Sequence, residues 1–208
     1  MRAELVLVAV AAGCLSLALL SPPARAQGDR YQPETISAEM AVELTEARAV
    51  RRAGDYDAAI SRLQSLVDAS PDYYLAWYNL GLAQAQAKQV DAAADSLERA
   101  LELKESLGIP DDTIYNSLGW THYLRGDYGA AKPVLEKAVQ QEGLSERSRT
   151  RALNNLGTVL LRLQEFEDAE SALLEAKDLG SSRAQVNLKV LGTARSVAAE
   201  QKRGGGGG

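Results

Sequence analysis

Apolar and small residues recur along this chain at the spacing of a helix, and the whole pattern then recurs at a longer interval. Residues 115–139 (YNSLGWTHYLRGDYGAAKPVLEKAV) carry it most clearly. Leu118 and Gly119 mark a first helical segment, and Gly126, Asp127 and Tyr128 make a turn. Ala131, Leu135 and Ala138 follow at intervals of four and three, which places them on one face of a second helix. The same signals occur upstream as Trp77, Leu80 and Gly81, then Ala93, Leu97 and Ala100. Downstream they occur as Leu153, Leu156 and Gly157, then Ala169, Leu173 and Ala176. The three Leu-Gly pairs stand 38 residues apart. A helix pair repeated at a fixed interval predicts an array in which each pair buries its apolar face against its neighbours. No long alternating or β-branched run lies between the helical segments, so the expected class is all-α.

In chain order, Ser37 is placed to cap a helix over residues 38–53, with Glu39 and Glu43 in its early turns. Met40, Leu44, Ala47 and Val50 run along one side, and Gly54-Asp55 ends it. A second helix carries Ala59, Leu63 and Leu66 and stops ahead of Ser70-Pro71-Asp72. The front half of this first repeat is degenerate. Glu43 and Glu46 stand where later repeats have an aromatic or aliphatic residue and Leu, as suits an end repeat with one unpaired side. Repeat two spans residues 72–108, and its turn, Lys88-Gln89-Val90-Asp91, lacks glycine. Repeat three spans 110–143, with Pro133 early in its second helix, and repeat four spans 148–180, with the turn Gln164-Glu165-Phe166-Glu167. A last helix over about 182–203 places Ala184, Leu188, Leu191 and Ala198 on one side. It reads as a cap that turns its charges outward. Asn187-Leu188 echoes the earlier Asn-Leu pairs, but Lys189 stands in place of the glycine.

Over residues 38–180 these positions resemble the tetratricopeptide repeat family, whose pattern is an aromatic residue, Leu-Gly, spaced alanines and a closing proline over 34 residues. The resemblance implies a right-handed α-solenoid of about four helix pairs, completed here by the capping helix to residue 203. The first helix of each pair would line the concave surface. The chain departs from the pattern in its interval of 38 and in keeping the closing proline only as Pro71. Four extra residues per junction are expected to lengthen the second helix or its loop. Glycine and alanine at the crossings let helix axes approach, so a larger residue at Gly119 is expected to overpack at a cost of about 1–3 kcal/mol.

The N-terminus carries a different signal. Arg2 precedes a nearly continuous apolar run over residues 5–20, followed by Ser21-Pro22-Pro23 and Ala24-Arg25-Ala26. That order fits a secretory signal peptide, residues 1–26, cut after Ala26, with a polar leader over 27–37. Two alternatives stand beside it: an uncleaved anchor, for which the run is short, and a lipoprotein signal at Ala11-Ala12-Gly13-Cys14. Cys14 is the only cysteine, so a chain beginning at Gln27 has none and an oxidising periplasmic or extracellular setting demands nothing of it. Residues 204–208 form a glycine tail. The net charge of −5 disfavours a nucleic-acid backbone as partner.

Signals for chemistry are sparse. His122 is the only histidine, and the mature chain offers no cysteine ligand, no phosphate loop and no nucleophile elbow. We therefore expect no enzyme, no cofactor and no metal, with His122 a partly exposed helix residue. The resemblance instead directs attention to the first helices. Groove-facing positions would carry Leu75, Tyr78 and Leu82 in repeat two, and Asn116, Trp120 and Tyr123 in repeat three. In repeat four they would carry Arg151, Asn154, Thr158 and Arg162, with Asn79 and Asn155 one position beside the stripe. Asparagine both donates and accepts, as an extended peptide backbone requires. Trp and Tyr offer area with a polar handle, and Arg meets carboxylates. Trp120 points about 200° away from the packing residue Leu118, so another surface must cover it. The lysines of the best-known carboxylate-clamp repeats are absent from these positions. The expected partner is a protein or peptide segment, with no nucleic acid and no membrane span once the signal is removed. Two other readings are an assembly subunit that packs through its solenoid edges and an accessory domain to a separate enzyme.

Overall fold

The computed structural model describes residues 36–109 and 113–204. The expected signal segment, the leader up to residue 35 and the glycines after 204 lie outside the described residues. The described residues form helices joined by short turns, with no strand among them. Four pairs follow one another: α1 (Ala38–Ala53) with α2 (Tyr56–Ala69), α3 (Tyr74–Gln86) with α4 (Val90–Ser106), α5 (Ile114–Arg125) with α6 (Tyr128–Gln140), and α7 (Glu146–Arg162) with α8 (Phe166–Asp178). The unpaired α9 (Ser182–Gly204) completes the array. Each helix packs on the next, and α1, α3, α5, α7 and α9 also pack side by side. The architecture is an all-α tetratricopeptide-like solenoid.

Local chemistry explains where the helices start and stop. Ser37, Asp55, Asp127 and Ser145 cap α1, α2, α6 and α7, each accepting a hydrogen bond from a backbone N–H of the first turn. The turns within the four pairs reverse the chain through one left-handed residue apiece: Gly54, Lys88, Gly126 and Gln164, at φ 92°, 65°, 84° and 61°. Lys88 and Gln164 adopt a backbone that glycine adopts freely, which costs each about 1–2 kcal/mol.

The crossing of the two helices in a pair is set by glycine against leucine. A Cβ on Gly81, Gly119 or Gly157 would stand 2.6, 2.5 or 2.6 Å from the Cγ of Leu97, Leu135 or Leu173. Those leucines are fully buried, as are Ala93, Ala131 and Ala169 one turn before them. In repeat one Ala47 takes the glycine's place, itself fully buried. Glu43 and Glu46 there answer Arg62 of α2 at 2.7 and 3.0 Å, so the degenerate front half is held by surface ion pairs instead of an apolar contact.

The extra residues of the long interval fall in two ways. After repeat two they extend α4 to 17 residues. After repeat three they lengthen the loop over 141–145 and also α7, a first helix of 17 residues, which the sequence pattern did not anticipate. Pro133 is the sixth residue of α6, where it leaves the Gly129 carbonyl without its helical donor on an exposed side. On α9, Ala184 and Leu191 are buried and Leu188 packs against the same cluster. The opposite side is not wholly polar: Val186, Val190 and Val197 are exposed.

Opposite substitutions of glycine test this framework. Gly119→Ala should lower stability by about 1–3 kcal/mol, and Gln164→Gly should raise it by about 1 kcal/mol. Urea midpoints at unchanged slope measure both. A neutral Gly119→Ala would mean that the crossing is not limited by the leucine.

Candidate functional site: the face of the first helices

Register along the array is fixed by the four left-handed turn residues. Counting back from each, Arg48, Leu82, Trp120 and Thr158 are equivalent. So are Arg51, Ala85, Tyr123 and Leu161, and so are Arg52, Gln86, Leu124 and Arg162. Because the first helices lie side by side, these sets form continuous stripes across one face.

Trp120 is the largest side chain on that face. It belongs to none of the buried clusters, in contrast to Trp77, which packs between two of them and donates from Nε1 to the Pro71 carbonyl at 2.8 Å. Trp120 stacks on Tyr123 with ring centroids 4.6 Å apart and planes 17° from parallel. Tyr123 in turn leans on Tyr128 at 5.4 Å. Arg162, on the neighbouring first helix, donates to the Tyr123 hydroxyl at 3.3 Å and lies 5.9 Å from the ring centre. The result is a half-buried aromatic shelf carrying a cation at its rim. Tyr78 is half-buried and packs against the buried cluster that contains Ala94, Leu97 and Leu118. Arg151 is exposed in the N-terminal half of α7.

The asparagines have other partners. Asn79 is buried and donates to the Leu75 carbonyl of its own helix at 2.7 Å. Asn155 donates to Asn116 Oδ1 at 3.0 Å, joining α7 to α5. Asn154 is 7 % exposed, and its Oδ1 accepts from Asn187 Nδ2 at 3.2 Å. The same Asn187 nitrogen lies 3.0 Å from Thr158 Oγ1, joining α9 to α7. The groove role expected for Asn154 therefore meets an amide largely covered by the capping helix. Asn187 is the scaffold residue that the sequence left unassigned, although its Asn-Leu echo pointed to it.

His122 is not partly exposed as expected but buried, at 6 %. It faces inward from α5, with Nδ1 3.0 Å from Arg125 Nη2. Burial holds its imidazole below the ordinary value, and the Arg125 charge adds to that against the weaker pull of Glu98 and Asp127. Among the described residues no group of three or more His, Cys, Asp or Glu side chains is placed to hold a metal ion. Among them, too, no helix is long and apolar enough to cross a membrane.

The tetratricopeptide repeat model matches residues 44–107 and 116–184, covering most of the solenoid. The chain belongs to the tetratricopeptide repeat family. Repeats of this kind serve as protein–protein interaction modules, and membership places the chain in that functional class. Three solved tetratricopeptide-like structures illustrate the likeness. PilF of Pseudomonas aeruginosa aligns at a TM-score of 0.66 and 18% identity, covering 81% of this chain and 77% of that one. MamA aligns at 0.64 and 19%, covering 79% and 86%. YrrB, described as a tetratricopeptide protein with an unusual peptide-binding site, aligns at 0.60 and 17%, covering 74% and 76%. At such identities the likeness is one of fold. A search of curated proteins returns no match.

The His122 environment predicts a pH dependence. The folded state keeps the imidazole neutral, whereas the unfolded chain takes up a proton near pH 6.5. Stability should therefore fall as pH drops below about 6.5, until the folded pKa is passed. His122→Gln should lack that component of the decline. Urea unfolding across this range, wild type against variant, reads it directly, and parallel curves would refute the assignment.

Proposed function

We propose that the chain is a non-enzymatic interaction module of the cell envelope that holds a protein segment against the face of its first helices. The observation that carries this reading is Trp120, a large aromatic side chain outside every buried cluster of the described residues, stacked on Tyr123 and rimmed by Arg162. YrrB, described as having a peptide-binding site, supplies a precedent for such a site on this fold. Tyr78 and Arg151 flank the anchor. Asn116 and Asn155 hold the neighbouring helices in register beneath it.

A second reading, assembly through an edge of the solenoid, has its own support. Val186, Val190 and Val197 recur at helical spacing on α9, and Lys189 stands where a following second helix would pack. The structural relative PilW is described as a type IV pilus biogenesis factor, and its alignment has a TM-score of 0.60 at 21% identity. The envelope setting rests on the N-terminal pattern of residues 1–26.

A partner captured by the mature chain from its native envelope separates these readings. Trp120→Ala should weaken that partner by more than about 1 kcal/mol while leaving thermal stability nearly unchanged. A loss of stability of about 3–5 kcal/mol would instead make Trp120 a core residue. Unchanged binding in an intact Trp120→Ala fold would move the contact to the edges. Intact-mass analysis of the protein from its host should show a chain beginning at Gln27, and a diacylglyceryl adduct on Cys14 would establish lipidation instead.

A further inference from the structure

The stripe that carries Trp120 in repeat three carries three arginines in repeat one. Arg48 is equivalent to Trp120, Arg51 to Tyr123 and Arg52 to Arg162, so α1 presents a cationic patch at the N-terminal end of the same face. The equivalent positions on α3, α5 and α7 hold no carboxylate.

The arginines of this patch, like Arg147, Arg151 and Arg183, differ from those that tie the solenoid together through carboxylates. Arg62, Arg99, Arg125, Arg149 and Arg195 each lie within ion-pair distance of Asp or Glu. Among the described residues no ion pair involves Arg48, Arg51 or Arg52. Carboxylates are not scarce in the chain, which has 28 Asp and Glu against 23 Lys and Arg. Arg51 donates from Nη1 to Gln86 Oε1 at 2.8 Å, and its Nε is buried with no hydrogen-bond partner. Glu46 and Asp55, the acids that flank the patch in sequence, are committed to Arg62 and to capping α2. The negative end of the α1 dipole accounts for cations in its last turn, but not for Arg48 a turn earlier, nor for a desolvated guanidinium left short of partners. Like charges three and four residues apart oppose the helix that carries them.

We propose that Arg48, Arg51 and Arg52 form a receiving site for the carboxylates of an acidic peptide segment, whose remaining residues run along the face toward Trp120. The proposal rests on the reading of that face as a protein-binding surface. Arginine suits this task because its planar fork of donors matches a carboxylate two bonds at a time. The patch is compact and set in a chain of net charge −5, which fits a short acidic segment better than a nucleic-acid backbone with its long basic footprint. Burial and the two neighbouring cations depress the pKa of Arg51, and a bound carboxylate would relieve the second of these.

The probe is a fluorescein-labelled peptide of alternating Glu and Tyr, with its Lys and Tyr counterpart as control, both read by fluorescence anisotropy at low salt. The acidic peptide should bind at least about tenfold more tightly than the basic one. Arg48→Glu combined with Arg52→Glu should abolish that preference, while Lys177→Glu on the exposed back of α8 should leave it intact. Arg48→Gln combined with Arg52→Gln serves the same purpose if the double reversal does not fold. Trp120→Ala should weaken the acidic peptide but keep the charge preference. If Trp120→Ala has no effect while the arginine variant does, the anion site stands and the aromatic reading of the face fails. Failure of the acidic peptide to bind, or a preference that survives the arginine variants, would overturn the proposal. So would a labelled oligonucleotide or phosphatidylglycerol vesicles binding more tightly than the peptide through the same arginines.

Discussion

A glycine backbone pressed against a leucine side chain sets the spacing of the two helices in three of the four pairs. Leu97, Leu135 and Leu173 occupy the space that a Cβ at Gly81, Gly119 and Gly157 would need, so the helices meet at a distance fixed by the leucine alone. One helix pair cannot cover its own outer sides, and burial is completed by the next pair. Rigid crossings repeated at a constant interval bring equivalent residues of successive first helices into line. The continuous face, and whatever it binds, depends on that repetition.

Two kinds of residue share the face. Asn116, Asn155, Asn154 and Asn187 tie α5 to α7 and α7 to α9 through side-chain amides. Such bonds hold neighbouring helices in register, because a slip along the axis would break them and strand a half-buried amide. Trp120 and Arg162 meet on Tyr123, which itself packs against the buried cluster of Ala131 and Leu135, and the α1 arginines have no partner of opposite charge among the described residues. The division is physical. Short, directional side chains complete the scaffold, while large or cationic ones carry surface that the scaffold does not use.

The fold was legible because its determinants are local and repeated. Leu-Gly pairs and alanines at helical spacing recur often enough that each repeat corroborates the others. Lys88 and Gln164 show why single turns were less legible: the backbone is left-handed there although no glycine announces it. The length of α7 was missed for a related reason, since extra residues between repeats have no apolar pattern to assign them to a loop or a helix. Within the candidate site, the orientation of Trp120 followed from helical phase. The fate of Asn154 did not, because it depends on Asn187, a partner 33 residues away in a helix without a complete motif. His122 was misjudged because its burial comes from neighbouring helices, not from its own. Arg48, Arg51 and Arg52 escaped notice because repeat one lacks the Leu-Gly pair by which the other repeats were aligned.

On the proposed function, partners meet the aromatic shelf rather than the buried lattice or the α9 edge. The two tryptophans of the chain provide a direct reading, since Trp77 is tied into the packing and Trp120 is not. Their indole N–H signals in a heteronuclear NMR spectrum can be followed as the native partner is added. The Trp120 indole is expected to shift or broaden strongly, with the Trp77 indole nearly unmoved. A saturated complex in which the Trp120 signal stays in place, while the methyl groups of Val186, Val190 and Val197 shift, would contradict it.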